Sequence, residues 1–478
     1  MAVLLTGIIL RFYRLGEPLW LDEVLTVNSA LKPLYDIPKD LIHGPAGSTP
    51  PLFYILLHFW IRIFGQSDAG MHFFTACIGI AGIAAIWRTG TLLAGRLAGL
   101  AGAAVMAAHP FHIAASQEVR PYGLLVFFSA LSFYFLLEAL RDNRSRHWVL
   151  YSAISTANLF THNYAVFLLI VQFLLALDKL VYEGGRFYEK VFFAFAAIFA
   201  AYLAWVPGLL MQTRKHAIFS YLSPPGFHEI KLTLYALAGL WTTSGASSSQ
   251  WPFEMADPLL AAYFLAGGYA AYHVSGRNRR LAWNLSCSAC ATILIPFVIS
   301  LKTPIYHPGR HAIIILPFVC LFWGLAAESV KSIRWRTLIL LLCFVSGLGT
   351  AMRYFSIPKS YDRAIAAYLK STAKPGYQIV IPQDYRKIPI AYYYPEASAA
   401  ATAIPRTSAG KMPEGIITVE IRGGNLDEDQ QDILKNRYYL AEQKLFGNFA
   451  VANLFLAKGG QNSRNSCVSC GTDAKNAL

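Results

Sequence analysis

Apolar runs of membrane length recur along the chain, and they constrain its fold more than any other feature. Candidate spans lie near 1–16, 70–87, 97–115, 121–140, 147–161, 164–178, 191–211, 257–274, 282–301, 311–329 and 336–354. A membrane helix needs about 20 mostly apolar residues, so these eleven runs predict an α-helical polytopic membrane protein. Composition agrees where it matters: 14% of the residues are charged, against about 25% in soluble domains. That excludes an ordinary soluble enzyme and a disordered chain. The first run is the weakest. It is uninterrupted only from Met1 to Leu10, with no basic region before it and no small-residue cleavage site after it. It reads as a helix whose true start can lie upstream of Met1, not as a cleaved signal.

The charge sets the expected orientation. Lys and Arg number 41 and Asp and Glu 27, a net +14. Arg88 and Arg96; Arg141, Arg144 and Arg146; Lys179, Arg186 and Lys190; Arg277, Arg279 and Arg280; and Lys331, Arg334 and Arg336 fall in alternate loops. The positive-inside rule makes these loops cytoplasmic, so topology accounts for most of the charge and no nucleic-acid partner is needed. The N-terminus is then inside. The segments 11–69, 109–120, 161–163, 212–256 and 302–310 and the tail are outside. Within the first outer loop, 11–69, Leu21 to Leu31 and Pro50 to Phe64 are apolar but short, and suit interfacial helices with Trp20 and Trp60 at headgroup level. The segment 230–248 stays open as a twelfth span or a re-entrant piece. A span there would flip the tail.

Three regions result: a membrane domain over 1–355, a small α/β extracytoplasmic domain over 356–460, and a polar tail over 461–478 expected to be disordered. In the second region helices are expected at 361–373, at 391–394 and at 426–435, with strands at 378–381, 416–421, 438–443 and 449–455. Cysteines carry little. Cys287 and Cys290 share redox spacing inside a span, and Cys467 and Cys470 form a lone pair in the tail, weak for zinc without a second pair.

The chemistry-bearing residues gather in the outer segments. Asp22 and Glu23 follow Trp20. They read either as a helix start, with Asp22 the cap, or as a general base able to take a proton from an attacking hydroxyl. Neighbours on a helix diverge by about 100°, so the two carboxylates cannot share one role. Ser116-Gln117-Glu118-Val119-Arg120-Pro121-Tyr122 stands between two spans. Arg120 there is either a snorkelling cation paired with Glu118 or a phosphate ligand. His109 and His112 read as interfacial histidines. His162-Asn163-Tyr164 occupies an outer turn, and Tyr306-His307-Pro308-Gly309-Arg310-His311 an outer mouth. Arg310 is a second cation at the expected level of Arg120, and two such cations suit a lipid phosphate. His43, His162, His307 and His311 share the outer face and leave a divalent metal open, without the i, i+4 His-Glu pattern of a helical zinc site. Ionisable groups are almost missing from the middles of the spans, which favours surface chemistry over ion-coupled transport.

Three motifs in order carry a resemblance: Arg11 to Glu23 with Arg14-Leu15-Gly16 and Leu19-Trp20-Leu21-Asp22-Glu23, then Pro50-Pro51-Leu52-Phe53-Tyr54 through His58 and Trp60, then Ser116 to Tyr122. The chain resembles glycosyltransferase superfamily C membrane enzymes, in particular bacterial relatives of protein mannosyltransferases and of the lipid A aminoarabinose transferase. The resemblance covers about 1–355. It implies inverting transfer from a polyprenyl-phosphate-linked sugar to a lipid, glycan or protein acceptor at the outer face of the plasma (inner) membrane. It places the base at Asp22, with Glu23 beside it orienting it, binding acceptor or supporting a metal, and gives the donor phosphate to Arg120 and Arg310. Glu118, Tyr122, His162, Tyr164, Tyr306 and His311 follow as substrate-binding candidates. No nucleotide cofactor is implied. One departure is that Ser48-Thr49 precedes the paired prolines where relatives commonly carry His. The rival classes are a lipid or sugar-lipid flippase and a non-catalytic assembly subunit.

Overall fold

The computed structural model describes residues 2–44, 49–183, 187–219, 223–244, 247–250, 253–274, 276–307, 310–404, 413–421 and 424–458. Ser48, Arg186, Pro308, Gly309, Cys467 and Cys470, and the tail expected to be disordered, lie outside the described residues. The chain divides into two units, Met1–Ser360 and Tyr361–Leu478.

The first unit is helical, and it is that of a multi-pass membrane protein. Among the described residues five helices are long and apolar enough to cross a membrane: Asp68–Ala94, Tyr122–Asp142, Arg279–Ser300, His311–Ser329 and Ile333–Ser356. Two bent pairs raise the number to seven if each is one span. The eleven expected spans are therefore not all continuous long helices. Ala2–Phe12 has 11 residues and Ser145–Leu159 has 15, rises of about 16 and 22 Å against a core of about 30 Å. The run at 97–115 breaks at His109 into Arg96–Ala108 and Pro110–Ser116, inclined at 67°. Pro110 lacks an N–H and pushes the residue before it into extended backbone. Of the two alternatives at 230–248, a twelfth span or a re-entrant piece, the structure counts against the span. It is an 11-residue helix, Phe227–Leu237, followed by an antiparallel hairpin of Trp241–Ser244 and Ser247–Gln250. About 16 Å of helix does not cross, so the twelfth-span alternative falls.

Small residues let three of these helices meet closely. A side chain at Gly324 would come within 2.3 Å of the Ala98 carbonyl, and one at Gly90 within 2.8 Å of Gly99. Backbone contact of this kind is how helices pack where lipid offers no hydrophobic drive. The break at His109 also leaves carbonyls without helical partners. Arg11, fully buried, fills them: its guanidinium donates to Met106 O at 3.0 Å and Ala107 O at 2.9 Å, and its Nη2 lies 2.6 Å from His112 Nδ1. His109 and His112 are buried core histidines, not the interfacial ones expected.

The second unit holds a mixed sheet in the order Tyr377–Val380, Gly415–Ile421, Ala450–Ala457, Tyr438–Phe446. The first pair is parallel and the others antiparallel. A parallel pair needs a crossover connection, and the Asp384–Tyr393 helix lies in it. Alternation along the central strand feeds two cores. Ile417, Val419 and Ile421 pack with Ile365 and Leu369, while Ile416 packs with Val380 and Leu434.

Candidate active site

The site begins with the start of the Leu21–Ala30 helix. Trp20, with extended backbone, is the N-cap, which corrects the expectation that Asp22 caps. Glu23 at the third helical position turns back to accept from the Trp20 N–H at 3.2 Å, the return half of a capping box. The two adjacent carboxylates then point to different surroundings, as helical geometry requires.

Glu23 points into the protein. Its Oε1 accepts from Lys359 Nζ at 2.6 Å and the Val119 N–H at 2.7 Å, and lies 3.0 Å from His72 Nε2. Lys359 Nζ also donates to the Gln117 carbonyl at 2.7 Å and lies 3.0 Å from His72 Nε2. His72 Nδ1 donates to Leu15 O at 2.9 Å, so the imidazole ties the Glu23–Lys359 pair to the backbone at Leu15. Glu23 is 0% exposed. Burial alone would raise its pKa, but Lys359 and then His72 overcome this and bring it down to about 2. Glu23 is closed to solvent, held through Oε1 by Lys359 and Val119 and through Oε2 by the Trp20 N–H, a placement that suits the orienting role expected of it.

Asp22 keeps 22% of its side chain exposed, with Oδ2 accepting from Arg310 Nη1 at 2.7 Å and lying 3.9 Å from Arg120 Nη2. Arg120 is buried. Its Nη1 donates to Thr26 Oγ1 at 3.1 Å and the Asp22 carbonyl at 3.4 Å, while its Nε finds no partner among the described residues. Arg310 lies over the Trp20 ring at 4.9 Å, and Trp20 Nε1 donates to Glu118 Oε1 at 3.1 Å. Burial raises the Glu118 pKa. One carboxylate between two arginines, floored by an indole, is the polar centre of the site.

The Ser116–Tyr122 segment divides its work residue by residue. The Gln117 side chain donates to the carbonyls of Arg11 at 3.0 Å and Tyr13 at 2.6 Å, closing the end of the first helix. Val119 holds Glu23, Arg120 holds Thr26, and the Tyr122 ring lies 5.7 Å from both the Arg120 guanidinium and the His162 ring. His162 in turn neighbours His311 at 5.4 Å and Tyr164 at 5.7 Å. The His162 Nδ1 accepts from the Tyr164 N–H at 3.2 Å, and burial, with Arg120 next, holds its pKa at about 3. The Tyr164 hydroxyl and His311 Nδ1 both donate to Ile305 O, at 2.8 and 2.9 Å. Tyr306, buried, bonds Thr233 through its hydroxyl. These residues brace the segment that carries Arg310.

The expected histidine grouping is only partly assembled. His162, His307 and His311 are ring neighbours, but His43 is exposed at the end of Ile37–His43. Among the described residues the trio of potential ligand atoms within 4.8 Å of one another is Glu138, Asp142 and His147. Arg141 and Arg144 already pair with Glu138 and Asp142, at 2.8 and 3.1 Å, which weighs against a cation there. Sequence reading missed Lys359, His72, Thr26 and Tyr54. The Tyr54 hydroxyl bonds Thr49 at 2.9 Å and lies within the field of Arg120. Only Tyr54 stood inside a motif. Lys359 was assigned to the tail, and the contact boundary after Ser360 places it in the first unit.

Comparison with known proteins adds the family context. Residues 48–211 match the profile described as dolichyl-phosphate-mannose-protein mannosyltransferase. ArnT from Cupriavidus metallidurans in the apo state has a similar structure, with TM-score 0.57, 10% identity, and 95% of this chain and 97% of that one covered. ArnT bound to undecaprenyl phosphate gives 0.59, 11%, 97% and 99%. The archaeal oligosaccharyltransferase AglB from Archaeoglobus fulgidus, in complex with an inhibitory peptide and a dolichol-phosphate, gives 0.51, 12%, 87% and 68%. No curated protein sequence matches the chain. A mannosyltransferase-family segment and the fold of ArnT along nearly the whole chain mark this protein as one that resembles the glycosyltransferase superfamily C membrane enzymes.

Proposed function

We propose that the chain transfers a sugar, with inversion, from a polyprenyl-phosphate-linked donor to a lipid, glycan or protein acceptor at the outer face of the plasma membrane. The observation that carries this reading is the Asp22 carboxylate, partly exposed and set 2.7 Å from Arg310 and 3.9 Å from Arg120. Support for a lipid-phosphate donor comes from ArnT with undecaprenyl phosphate and AglB with dolichol-phosphate and a peptide.

In this mechanism the lipid phosphate enters against Arg120 and Arg310. Arg310 then shifts its hydrogen bonding from Asp22 toward the phosphate, which leaves Oδ2 open to the acceptor hydroxyl. Asp22 takes the hydroxyl proton as the oxygen attacks the anomeric carbon from the face opposite the phosphate. The bond from that carbon to the phosphate oxygen breaks, and the lipid phosphate leaves with its electron pair. A phosphate is a good leaving group at neutral pH, so the arginines stabilise departing charge and no strong general acid is required. Glu23, with Lys359 and His72, fixes the helix start that aims Asp22. The carboxylate and its two cations come from three separated segments, so a shift in any one of them misplaces the base.

The test is transfer by purified protein in proteoliposomes, supplied with polyprenyl-phosphate sugars and a membrane-glycan extract and followed by mass spectrometry. A sugar-mass gain with wild type and none with Asp22→Asn supports the reading. Equal gain with both proteins removes Asp22 as base. Movement of intact donor across the bilayer without any acceptor would make the protein a flippase.

A further inference from the structure

A second polar and apolar site lies at the far end of the helix that begins at Tyr122. Leu136, Leu140, Leu175 and Leu285 help wall a cavity of about 520 Å³ between the Asp68–Ala94, Tyr122–Asp142, Ala165–Glu183 and Gly276–Ser300 helices. Arg141, Lys179 and Arg280 stand at it together with one acid, Asp178. The side chains of Arg141 and Arg280 are 57% and 55% exposed, so they form a wet rim above a leucine-lined slot. Asp178 pairs with Arg280 at 2.8 Å and Glu138 with Arg141 at 2.8 Å. With both acids counted, the three cations leave a net +1.

The position fixes the leaflet. From Tyr122 to Leu140 is 18 residues along one helix, about 27 Å at 1.5 Å per residue, close to the roughly 30 Å hydrocarbon thickness. The cavity therefore lies at the opposite membrane surface from Asp22, Arg120 and Arg310. A donor whose phosphate sits on those two arginines cannot place the same phosphate here.

We propose that this cavity binds an anionic glycerophospholipid, with one acyl chain in the leucine slot and its phosphate against Arg141, Lys179 and Arg280. Exposed cations at a helix-bundle rim meet a lipid phosphate without a large desolvation cost, and the leucines take a chain that would otherwise leave them facing a void. The proposal needs the membrane reading of the first unit but not the transfer reaction, so the two succeed or fail separately.

The test is native mass spectrometry of the delipidated full chain in detergent, with phosphatidylglycerol and phosphatidylcholine of identical chains. Phosphatidylglycerol is retained and phosphatidylcholine is not. Arg280→Gln and Lys179→Gln, both at the rim, each weaken phosphatidylglycerol retention about fivefold. Leu285→Trp fills the slot and lowers retention without any change of charge. Should that variant fold poorly, the two rim variants carry the test. The two lipids share the phosphate and differ in net charge, so equal retention of both overturns the selection of an anionic lipid. Retention of phosphatidylglycerol unchanged in every variant places the lipid elsewhere and overturns the site. One-for-one displacement by undecaprenyl phosphate overturns the glycerophospholipid assignment.

Discussion

Replacing Lys359 with methionine tests how the site is held. The variant leaves Glu23 fully buried without its ammonium, 2.6 Å away in the native protein. In the native protein the Glu23 pKa falls from 4.5 to about 2. At 1.36 kcal/mol per pKa step this corresponds to about 3 kcal/mol, within the range for breaking a buried pair from one side. The pH dependence follows in sign. A depressed carboxylate pKa stabilises fully above the unfolded value of 4.5, and that contribution is lost as pH falls toward about 2. In Lys359→Met burial loses its main opponent and the Glu23 pKa rises. The variant is then weakest near neutrality and recovers as the pH drops. Unfolding in graded SDS and mild-detergent micelles across pH 3 to 7 reads both effects. The double variant Glu23→Gln/Lys359→Met gives the coupling between the two side chains. A single-variant loss under about 1 kcal/mol, the worth of an exposed pair, would refute the reasoning. So would the same sign of pH dependence in both proteins.

Other outcomes follow from the same geometry. Asp22→Asn lowers the transfer rate by about 10²- to 10⁴-fold, the worth of a general base, and single-turnover transfer separates this from weaker binding. Arg310→Lys keeps the charge but loses the planar fork that reaches Asp22, and raises the KM for the lipid donor about tenfold with a smaller change in kcat. His162 is held near pKa 3 by burial and Arg120. It is neutral across about pH 5 to 8, and His162→Gln leaves the shape of the pH–rate profile unaltered. Ile417 is fully buried in the second unit's sheet, and Ile417→Ala costs about 3 kcal/mol, read as faster proteolysis of that unit in the intact chain.

Much of the second unit was legible because its pattern is local. The alternation in Gly415–Ile421 and the paired runs Tyr438–Phe446 and Ala450–Ala457 are period-two signals that survive without tertiary context. The membrane unit was legible as apolar runs but not as continuous helices. Hydropathy at 97–115 is uniform across the break at His109, because hydropathy weighs side chains and Pro110 acts on the backbone. At 230–248 moderate apolarity left a span or a re-entrant piece open, and only the hairpin after Leu237 shows the chain turning.

The sequence by itself determined the membrane class of the fold and placed Asp22, Arg120 and Arg310 in segments on one face, since both follow from composition and spacing along the chain. Only the tertiary structure decided which carboxylate stays open. Asp22 and Glu23 are neighbours of the same chemistry, and their difference comes from partners at 310 and 120 on one side and at 359, 72 and 119 on the other. Lys359 lies 336 positions from Glu23 in sequence, and no local pattern carries such a contact. A charge's role is set by the groups folding brings within a few ångströms of it, because Coulomb and hydrogen-bond energies depend on distance in space and on burial, not on separation along the chain.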